Sequence, residues 1–390
     1  MEKKIIKKNL KEIKLSGNYR IRKIKDSGNS HLFFYKNKEY LSFASNDYLS
    51  LANDKRIINA AKIALDKHGY STSSSALISG YTSSHHKLEE EISEFLGQEK
   101  TLLFSTGYQA NLGVIKSLVS RGDNIIADQL NHASLIDGSI LSRANFKRYN
   151  HNDYKDLEKI ILKCKAKNNL IISDSLFSMD GDIANIKKLS IKARKHKSSL
   201  LIDEAHSLGV FGPEGRGLVY GSSLSKEKNI FVTGTFGKSI GTFGAFFSGD
   251  QNYVEYVMQK SRSYIYSTSL PVNAVEATRK SLKIINKESW RREKLFSLIN
   301  YYKKNIYKSG FISLESDSQI QAILIGSSKD AMHIREELLK KSIYIPAIRP
   351  PTVKEGSSRL RVSLTVDHEE DDIDYLINIL HTISINLVQS

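Results

Sequence analysis

The chain has 390 residues, of which 40% are apolar and 26% charged, and its formal net charge is +16. This length can bury a substantial core and favours one large domain with a smaller one attached. The longest apolar runs have only a handful of residues, far short of the ~20 that a membrane-spanning helix needs. The lysines are scattered along the sequence and form no single patch, so we expect neither a nucleic-acid nor a membrane partner.

The N-terminal stretch bears on the cellular compartment, and the single cysteine bears on disulfide and zinc chemistry. Residues 1–14, MEKKIIKKNLKEIK, predict a basic amphipathic helix. This stretch lacks the long apolar core and the small-residue cleavage site of a secretory signal, so we expect a cytoplasmic protein. Cys164 is the only cysteine, which excludes an intrachain disulfide and a cysteine cluster for zinc.

The first elements have clear local signals. Residues 31–43, HLFFYKNKEYLSF, alternate around a Lys-Asn-Lys turn and predict a β-hairpin, and Asn46 follows in a predicted turn. Helical apolar spacing predicts a helix over Ile57–Leu65 and another over Leu88–Leu96. Gly97 supplies a stop for the second helix.

From Leu102 onward, short apolar runs alternate with helical patterns. The runs TLLF, NIIAD, LIISD, LLIDE and NIFVT are each followed by polar residues or glycine. This βαβ rhythm predicts an α/β fold with a mostly parallel sheet buried between helices. Ligands of such sheets bind beyond the carboxyl ends of the strands, so the residues after each run are the candidates for a site.

The alternation of short apolar runs with helical patterns ends between Ser281 and Trp290. A long helix ended by Gly310 is followed by strands near 320–325 and 359–363 and by a last helix from about Asp371, which predicts a small α+β domain. The predicted division is an N-terminal helix and hairpin segment (1–50), a large α/β domain (51–285) and a small C-terminal α+β domain (286–390).

One lysine stands among glycines after the fifth apolar run. The stretch TGTFGKSIGTFG, residues 233–244, places Lys238 on a backbone whose four glycines are free to take positive φ. An amine at such a strand end can form an imine with an aldehyde cofactor. Taken alone, a lysine after a strand is far more often a solvated loop residue.

Two further strand ends carry groups that would suit the same cofactor. Asp203, in LLIDEAHSLG, is placed to hold a protonated ring nitrogen, and His206 follows three residues later. A helix cap at Asp203 with a surface His206 is an equally good interpretation of this motif alone. His132, in LNHASLIDG, is placed to stack on a flat ring, although a buried structural histidine is the usual alternative.

A phosphate cradle is indicated by LLFSTGYQAN. The motif leads from a strand through Gly107 into a predicted helix, which would present backbone amides and the positive end of the helix dipole to a phosphate. An ordinary glycine turn is the alternative. Ser178 and Thr235 could add hydroxyl donors. Either residue alone is a weak signal of a site. Together, an amine, a ring-nitrogen partner, a stacking base and a phosphate cradle match the needs of pyridoxal phosphate.

The motifs and their order resemble those of the α-oxoamine synthases, which are fold-type I pyridoxal-phosphate enzymes. The matching segments are TGYQAN, LNHASLIDG, SLFSMDGD, DEAHSLGVFGPEGRG, TFGKSIGTFGAF, YSTSLP, and IRPPTV with RLRVSLT. The resemblance runs from roughly Arg20 to the last helix, and motifs of this number and order are highly specific.

The resemblance implies a role for each matched residue. Lys238 would be the Schiff-base lysine and the base that removes the α-proton of the amino acid. Asp203 would pair with the pyridinium nitrogen, His132 would stack on the ring, and His206 would contact the phenolic oxygen with Ser178 nearby. The residues implied for the phosphate or the cofactor pocket are Gly107, Tyr108 and Thr235.

The resemblance also implies substrate ligands and a dimer. Arg361 would clamp the amino acid carboxylate, and Asn46 of ASNDYL would bind substrate. Arg20 and Thr352 would handle the acyl chain, with Arg22 an alternative to Arg20 because no strong motif fixes the register. Ser267 and Thr268 would reach the cofactor phosphate of the neighbouring subunit. The resemblance therefore implies an obligate homodimer.

The segment AIRPPTV most resembles the corresponding segment in one branch of the family, which acts in biotin synthesis. Enzymes of that branch join L-alanine to a pimeloyl thioester, whose carrier is coenzyme A or an acyl carrier protein. The nearest rivals share the machinery but use glycine with acetyl-CoA or succinyl-CoA. A hypothesis of another class is a non-catalytic basic protein that binds nucleic acid or an acidic partner on the same fold. The retained Lys238, Asp203 and His206 argue against it.

One segment departs from the family pattern. The family has a glycine-rich GxGxGGS segment where this chain has YSTSSSA, residues 70–76. Serine takes positive φ less readily than glycine, so the backbone path is an open question. We interpret the change as a local variation in a substrate loop, because every residue proposed for chemistry is present.

Overall fold

The computed structural model describes residues 2–16, 19–22, 24–26, 31–164, 166 and 168–389. Among these residues the helices, numbered in chain order, are α1 (Lys3–Leu15), α2 (Lys55–His68), α3 (Ser83–Leu96), α4 (Gly107–Leu118), α5 (Ala133–Ser142), α6 (Tyr154–Leu162), α7 (Ile186–Lys195), α8 (Leu218–Gly221), α9 (Gln251–Lys260), α10 (Arg262–Ile265), α11 (Val272–Lys287), α12 (Ser289–Asn305), α13 (Ser328–Lys340) and α14 (Glu370–Gln389). The strands are β1 (Leu32–Tyr35), β2 (Lys38–Ser42), β3 (Lys100–Phe104), β4 (Asn124–Asp128), β5 (Asn145–Tyr149), β6 (Asn169–Asp174), β7 (Ser199–Asp203), β8 (Ile230–Thr235), β9 (Ala245–Gly249), β10 (Ile312–Ser313), β11 (Ile320–Gly326), β12 (Ile343–Tyr344), β13 (Ala347–Ile348) and β14 (Ser358–Ser363).

The chain forms two compact units. The terminal unit consists of Met1–Tyr48, Met179–Asp182 and Glu293–Ser390. The sheet unit consists of Leu49–Ser178 and Ile183–Arg292. The three-part division expected from the sequence stays a prediction, because contacts within a unit do not test which segments fold by themselves. None of the described helices combines the length and the apolar character needed to cross a membrane.

The sheet unit is built on a seven-stranded sheet with the order β3-β9-β8-β7-β6-β4-β5. The pairs from β8 to β5 are parallel, and β9 runs antiparallel to both β3 and β8. Adjacent residues of a strand face opposite sides of the sheet, and Ile171 and Ile172 are both fully buried. Both faces are therefore covered, which confirms the predicted mostly parallel sheet between helices.

One face of the sheet packs against α4, α5 and α9. The helical side chains in this hydrophobic cluster include Ala110, Val114, Leu135, Val254 and Val257. Full burial of one valine or leucine side chain contributes roughly 1.5–3 kcal/mol, so the cluster fixes these helices firmly on the sheet. Because α4 and α5 follow β3 and β4, their N-termini lie at the carboxyl edge of the parallel strands.

Local signals account for several boundaries. Gly97 ends α3 in the left-handed conformation, with φ 64° and ψ 31°, as its position after Leu96 predicts. Thr106 caps α4 by accepting a hydrogen bond from the Gln109 N–H at 3.2 Å. The turn predicted at Asn46 lies slightly later, because Asn46 has irregular backbone and the turn comes at Tyr48 and Leu49.

The terminal unit contains two small sheets. β1 and β2 form the predicted antiparallel hairpin, and β12 joins β2 in parallel. The second sheet has the order β10-β11-β14-β13 with antiparallel pairs. This mixture of small sheets with α13 and α14 confirms the predicted small α+β part of the fold.

His368 is a fully buried histidine of the terminal unit. Its Nδ1 accepts a hydrogen bond from the Thr365 N–H at 3.0 Å, and its Nε2 lies 3.2 Å from the Ser42 carbonyl oxygen. Because Nδ1 accepts, the proton is on Nε2 and the ring is neutral. Burial, with His31 as the next cause, lowers the pKa of His368 to about 4.

We expect this histidine to make the terminal unit less stable in acid. The unfolded chain protonates His368 below about pH 6.5, whereas the folded protein does so only near its lowered pKa, so roughly 3 kcal/mol of unfolding free energy is lost between those limits as the pH falls. Urea unfolding of the wild type and of His368→Gln across this range measures the effect. The same pH dependence in both proteins would contradict it.

Candidate active site

Three polar residues form a row at the carboxyl edge of the central sheet. Asp174 is paired with Asp203 across β6 and β7, and Asp203 is paired with Thr233 across β7 and β8. All three are buried. This is the edge at which parallel α/β sheets bind ligands, as the sequence predicts.

Lys238 lies in a short loop that joins β8 to β9. The loop is closed by a hydrogen bond from the Phe236 N–H to the Gly244 oxygen at 2.9 Å and by one from the Thr242 N–H to the Phe236 oxygen at 2.9 Å. The Lys238 Nζ lies 2.7 Å from Nε2 of His206. His206 is only 6% exposed, so the alternative of a surface histidine is wrong.

The glycines around Lys238 serve two different purposes. Gly241 and Gly244 take positive φ, at 71° and 122°. Gly234 is required for space, because a Cβ there would lie 2.7 Å from the ring of Phe246. The loop therefore depends on glycine both for its turn and for its close packing.

Asp203 is the last residue of β7, and its carboxylate is held by two donors. Oδ1 accepts from the Ala205 N–H at 2.9 Å, and Oδ2 accepts from Nδ2 of Asn111 at 2.7 Å. The alternative of a helix cap does not apply, because the residues that follow form turns and not a helix. A buried carboxylate with lone pairs still available suits a protonated ring nitrogen.

His132 follows β4 and caps the N-terminus of α5. Its backbone N–H donates to Oδ2 of Asp174 at 2.6 Å, and its Nδ1 accepts from the Ser134 N–H at 3.3 Å. The residue keeps an exposed surface, as a ring-stacking role requires. Desolvation by the surrounding protein lowers the pKa of His132, and Asp203 opposes that shift. Burial raises the pKa of Asp174 well above its ordinary value, and Asp203 adds to the effect.

The first turn of α4 lies beside Thr235. A Cβ added at Gly107 would be 3.5 Å from the Thr235 Cβ. The helix begins at Gly107, so the N–H groups of its first turn point beyond its N-terminus. Tyr108 is exposed and its hydroxyl donates to Oδ2 of Asp137. The arrangement offers amide donors to an anion. The Thr235 hydroxyl donates to the Gly244 oxygen at 3.0 Å and would turn from it to join them.

Three serine or threonine candidates of the sheet unit lie in turns or irregular backbone. Ser178 is half-buried in a turn after β6. Ser267 is half-buried, and Thr268 is exposed and forms an isolated bridge with Ser75. The roles assigned to these residues stay predictions.

The serine segment 70–76 follows a defined path. Ser73 takes a positive φ of 53°, which is uncommon for a residue other than glycine. The Ser71 Oγ accepts from the Ser73 N–H at 3.0 Å, and the Ser74 oxygen accepts from the Ser269 N–H at 3.0 Å. Local hydroxyl bonds and pairing with residues 268–269 therefore hold the turn where the family uses glycine.

In the terminal unit, two predicted substrate ligands meet. Arg361 on β14 is 6% exposed, and its Nη2 donates to Oδ1 of Asn46 at 3.1 Å. Its Nη1 donates to the Ser363 Oγ at 2.9 Å. The planar guanidinium of such a buried arginine suits a carboxylate ligand.

The predicted acyl ligands lie on the surface of the same unit. Arg20 and Thr352 are exposed, as is Arg22. The Thr352 N–H donates to the Arg349 oxygen at 3.0 Å. Burial, followed by the charges of Arg335 and Arg20, lowers the pKa of Arg349. Arg20 thus lies within electrostatic reach of the loop that carries Thr352.

The sequence analysis did not identify four polar residues at or beside the carboxyl edge of the sheet. They are Asn111, Ser134, Asp174 and Thr233. Asn111 stands within the quoted motif TGYQAN, four residues after Gly107 and thus on the same helix face. Asp174 ends the run LIISD. Both positions could have been found by treating every polar strand end and the first buried helical amide as candidates.

The residues of the sheet unit fit pyridoxal phosphate. Lys238 supplies an amine, Asp203 a buried carboxylate, and the α4 N-terminus beside Thr235 a place for the phosphate. The aldehyde, the ring nitrogen and the phosphate of the cofactor would each find a group of complementary charge or hydrogen-bonding capacity.

Comparison with known proteins gives consistent matches. The aminotransferase class I and II family model matches residues 38–380. The 8-amino-7-oxononanoate synthase of Saccharophagus degradans is 41% identical over 377 residues, which cover 96% of this chain and 95% of the relative. The enzyme of the same name from Methylococcus capsulatus is 40% identical over 371 residues, covering 95% and 96%.

Solved structures agree with these sequence matches. A serine palmitoyltransferase from S. paucimobilis with bound PLP–myriocin aldimine has a TM-score of 0.92 at 30% identity, covering 99% of this chain and 98% of that chain. An 8-amino-7-oxononanoate synthase from Francisella tularensis has a TM-score of 0.79 at 28% identity, covering 90% and 99%.

The sheet, the lysine after β8 and the groups around it define a fold-type I enzyme with pyridoxal 5′-phosphate as its cofactor. The chain belongs to the aminotransferase class I and II family and, within it, to the α-oxoamine synthases related to 8-amino-7-oxononanoate synthase. It is a pyridoxal-phosphate-dependent acyltransferase.

Proposed function

We propose that the enzyme condenses L-alanine with a pimeloyl thioester to give 8-amino-7-oxononanoate, carbon dioxide and the carrier thiol, a step of biotin synthesis. The observation that supports it most is the match to 8-amino-7-oxononanoate synthases at about 40% identity along almost the whole chain. The segment AIRPPTV, residues 347–353, is the sequence feature that favours this branch.

Residues of the sheet unit would hold the cofactor. Lys238 would bind its aldehyde carbon, the α4 N-terminus and Thr235 its phosphate, and Asp203 its ring nitrogen. When bound, the cofactor withdraws electrons from the α-carbon of the amino acid and so stabilises negative charge there. The exposed face of His132 would stack on the ring, and His206 and Ser178 would face its phenolic oxygen.

Lys238 is also the proposed base. Its Nζ would take the α-proton of alanine, and the nearby His206 Nε2 orients the amine for this transfer. The α-carbon then forms a bond to the thioester carbonyl carbon, and the carbon–sulfur bond breaks to release the thiol. Loss of the alanine carboxylate as carbon dioxide leaves an electron pair on the α-carbon, which takes up one proton.

The terminal unit supplies the proposed substrate ligands. Arg361, held by Asn46 and Ser363, would bind the alanine carboxylate with its planar guanidinium. Arg20 and Thr352 would contact the acyl substrate.

We further propose a homodimer in which Ser267 and Thr268 contact the cofactor phosphate of the neighbouring subunit. The exposure of Thr268 is compatible with such a contact. Sedimentation of the purified protein should give the mass of two chains at micromolar concentration. A monomer of full activity would contradict the proposal.

A panel of substrates tests the proposed reaction. We expect alanine with pimeloyl thioesters, on coenzyme A and on an acyl carrier protein, to exceed glycine with acetyl-CoA or succinyl-CoA by at least about tenfold in kcat/KM, because a pocket that fits the longer chain gains binding from each methylene. Release of the thiol and of carbon dioxide is measured for each pair. A preference for glycine with acetyl-CoA would contradict the proposed reaction.

A further inference from the structure

The side-chain amide of Asn111 lies at the centre of the buried edge. Asn111 is on α4 and is 1% exposed. Its Nδ2 donates to Oδ2 of Asp203 at 2.7 Å and to the Ser134 Oγ at 2.8 Å, and its Oδ1 accepts from the Thr233 Oγ1 at 2.7 Å. Both amide hydrogens and the amide oxygen are therefore used.

The orientation of this amide is dictated by its neighbours. A flipped amide would place its oxygen against the Asp203 carboxylate, where two acceptors would face each other at 2.7 Å. Thr233 would also lose the acceptor for its hydroxyl. The observed orientation is thus the one that satisfies all three partners.

The amide connects two groups that face the cofactor position. One arm reaches the Asp203 carboxylate directly. The other runs through Ser134, whose Oγ accepts from Asn111 and lies 2.8 Å from Nδ1 of His132. Because the Ser134 N–H donates to the same Nδ1, this nitrogen is an acceptor and the ring proton of His132 is on Nε2.

We propose that Asn111 is a positioning residue that sets the orientation of Asp203 and, by donating to the Ser134 Oγ, directs the Ser134 hydroxyl toward His132. Asn111 donates one of the two hydrogen bonds that hold the Asp203 carboxylate, the other being from Ala205. Without it, the carboxylate turns more freely and holds the ring nitrogen less well. The inference rests on the proposed function, because it presumes that Asp203 and His132 face the cofactor.

Two substitutions separate positioning from simple space filling. Asn111→Ala removes the amide and leaves a cavity. Asn111→Asp keeps the shape, but a carboxylate cannot donate to Asp203 and repels it. A space-filling role predicts that alanine is the worse of the two, whereas a positioning role predicts that aspartate is.

Asn124 offers a matched control in the same unit. It is buried at the start of β4, at the opposite end of the sheet, and its Nδ2 donates to Oδ1 of Asn169 at 2.8 Å. The amide of Asn169 can flip to donate to a carboxylate, so Asn124→Asp keeps a partner. Asn124→Ala and Asn124→Asp therefore report the general cost of altering a buried asparagine.

The experiment titrates apo-protein with pyridoxal phosphate and records the dissociation constant, followed by kcat, KM and the visible spectrum of the loaded enzyme. Loss of one hydrogen bond to a charged group should raise the dissociation constant about tenfold in Asn111→Ala, and added repulsion should raise it about a hundredfold in Asn111→Asp. We expect kcat to fall in parallel with little change in the KM for alanine. The alanine variant carries the test if the aspartate variant does not fold.

Two results would overturn the inference while leaving the proposed function standing: a wild-type dissociation constant in Asn111→Asp, or equal losses in the Asn111 and Asn124 variants. A wild-type protein that takes up no pyridoxal phosphate would overturn both.

Discussion

Lys238→Ala should abolish both the visible absorbance that follows cofactor binding and the condensation reaction. The side chain is the only proposed link to the aldehyde and also the proposed base, so its loss removes two functions at once. We expect kcat to fall on the order of 10³-fold or more. Absorbance spectra with pyridoxal phosphate and turnover with alanine and a pimeloyl thioester measure the two effects.

Lys116→Ala is a suitable control, because Lys116 is an exposed lysine of the same unit on α4. It should keep both the spectrum and the rate. Circular dichroism of each variant shows whether the fold is retained. Near-normal turnover in Lys238→Ala would remove the lysine from the mechanism.

Arg361→Lys should lower kcat/KM for alanine about a hundredfold, mainly through KM. Lysine keeps the charge but loses the planar pair of donors that matches a carboxylate. It also cannot hold Asn46 and Ser363 at the same time as a ligand. Initial rates over a range of alanine concentrations give the two constants separately.

Arg359→Lys provides a control two residues away on β14. Arg359 is similarly buried, and its Nη1 pairs with Oδ1 of Asp180, a partner that lysine can retain. We expect its kinetic constants to stay within about threefold of the wild type, since a retained ion pair changes little. Equal losses in the two variants would show that Arg361 acts through folding and not through the carboxylate.

Much of the fold could be predicted because its strands are short apolar runs with polar ends. β3, β4, β6, β7 and β8 all coincide with runs found in the sequence. β5 was missed because NFKRY carries two charges and lies at the edge of the sheet, where burial does not demand an apolar run. β9 was missed because AFFSG directly follows the glycine-rich loop and looks like its continuation.

The candidate site, like the fold, contains residues that the sequence indicates and contacts that only the structure gives. Lys238, Asp203 and His206 were candidates from the sequence because each is a chemically distinctive residue at or shortly after a strand end, and their roles stay predictions. The hydrogen-bond partners of Asn111 and Thr233 could not be predicted, since these bonds join elements that are far apart in the chain. A motif records which residue stands at a position, but it does not record the partner.

The hairpin that carries Lys238 has a consequence for how the site forms. Because β9 returns beside β8, with Thr235 paired to Ala245, both ends of the lysine loop are fixed by neighbours within about ten residues. The loop-closure entropy for such a short segment is small, and its contacts are of low sequence separation. The lysine can therefore take its place as soon as this pair of strands forms, whereas Asp203 and His132 must wait for long-range assembly of the sheet.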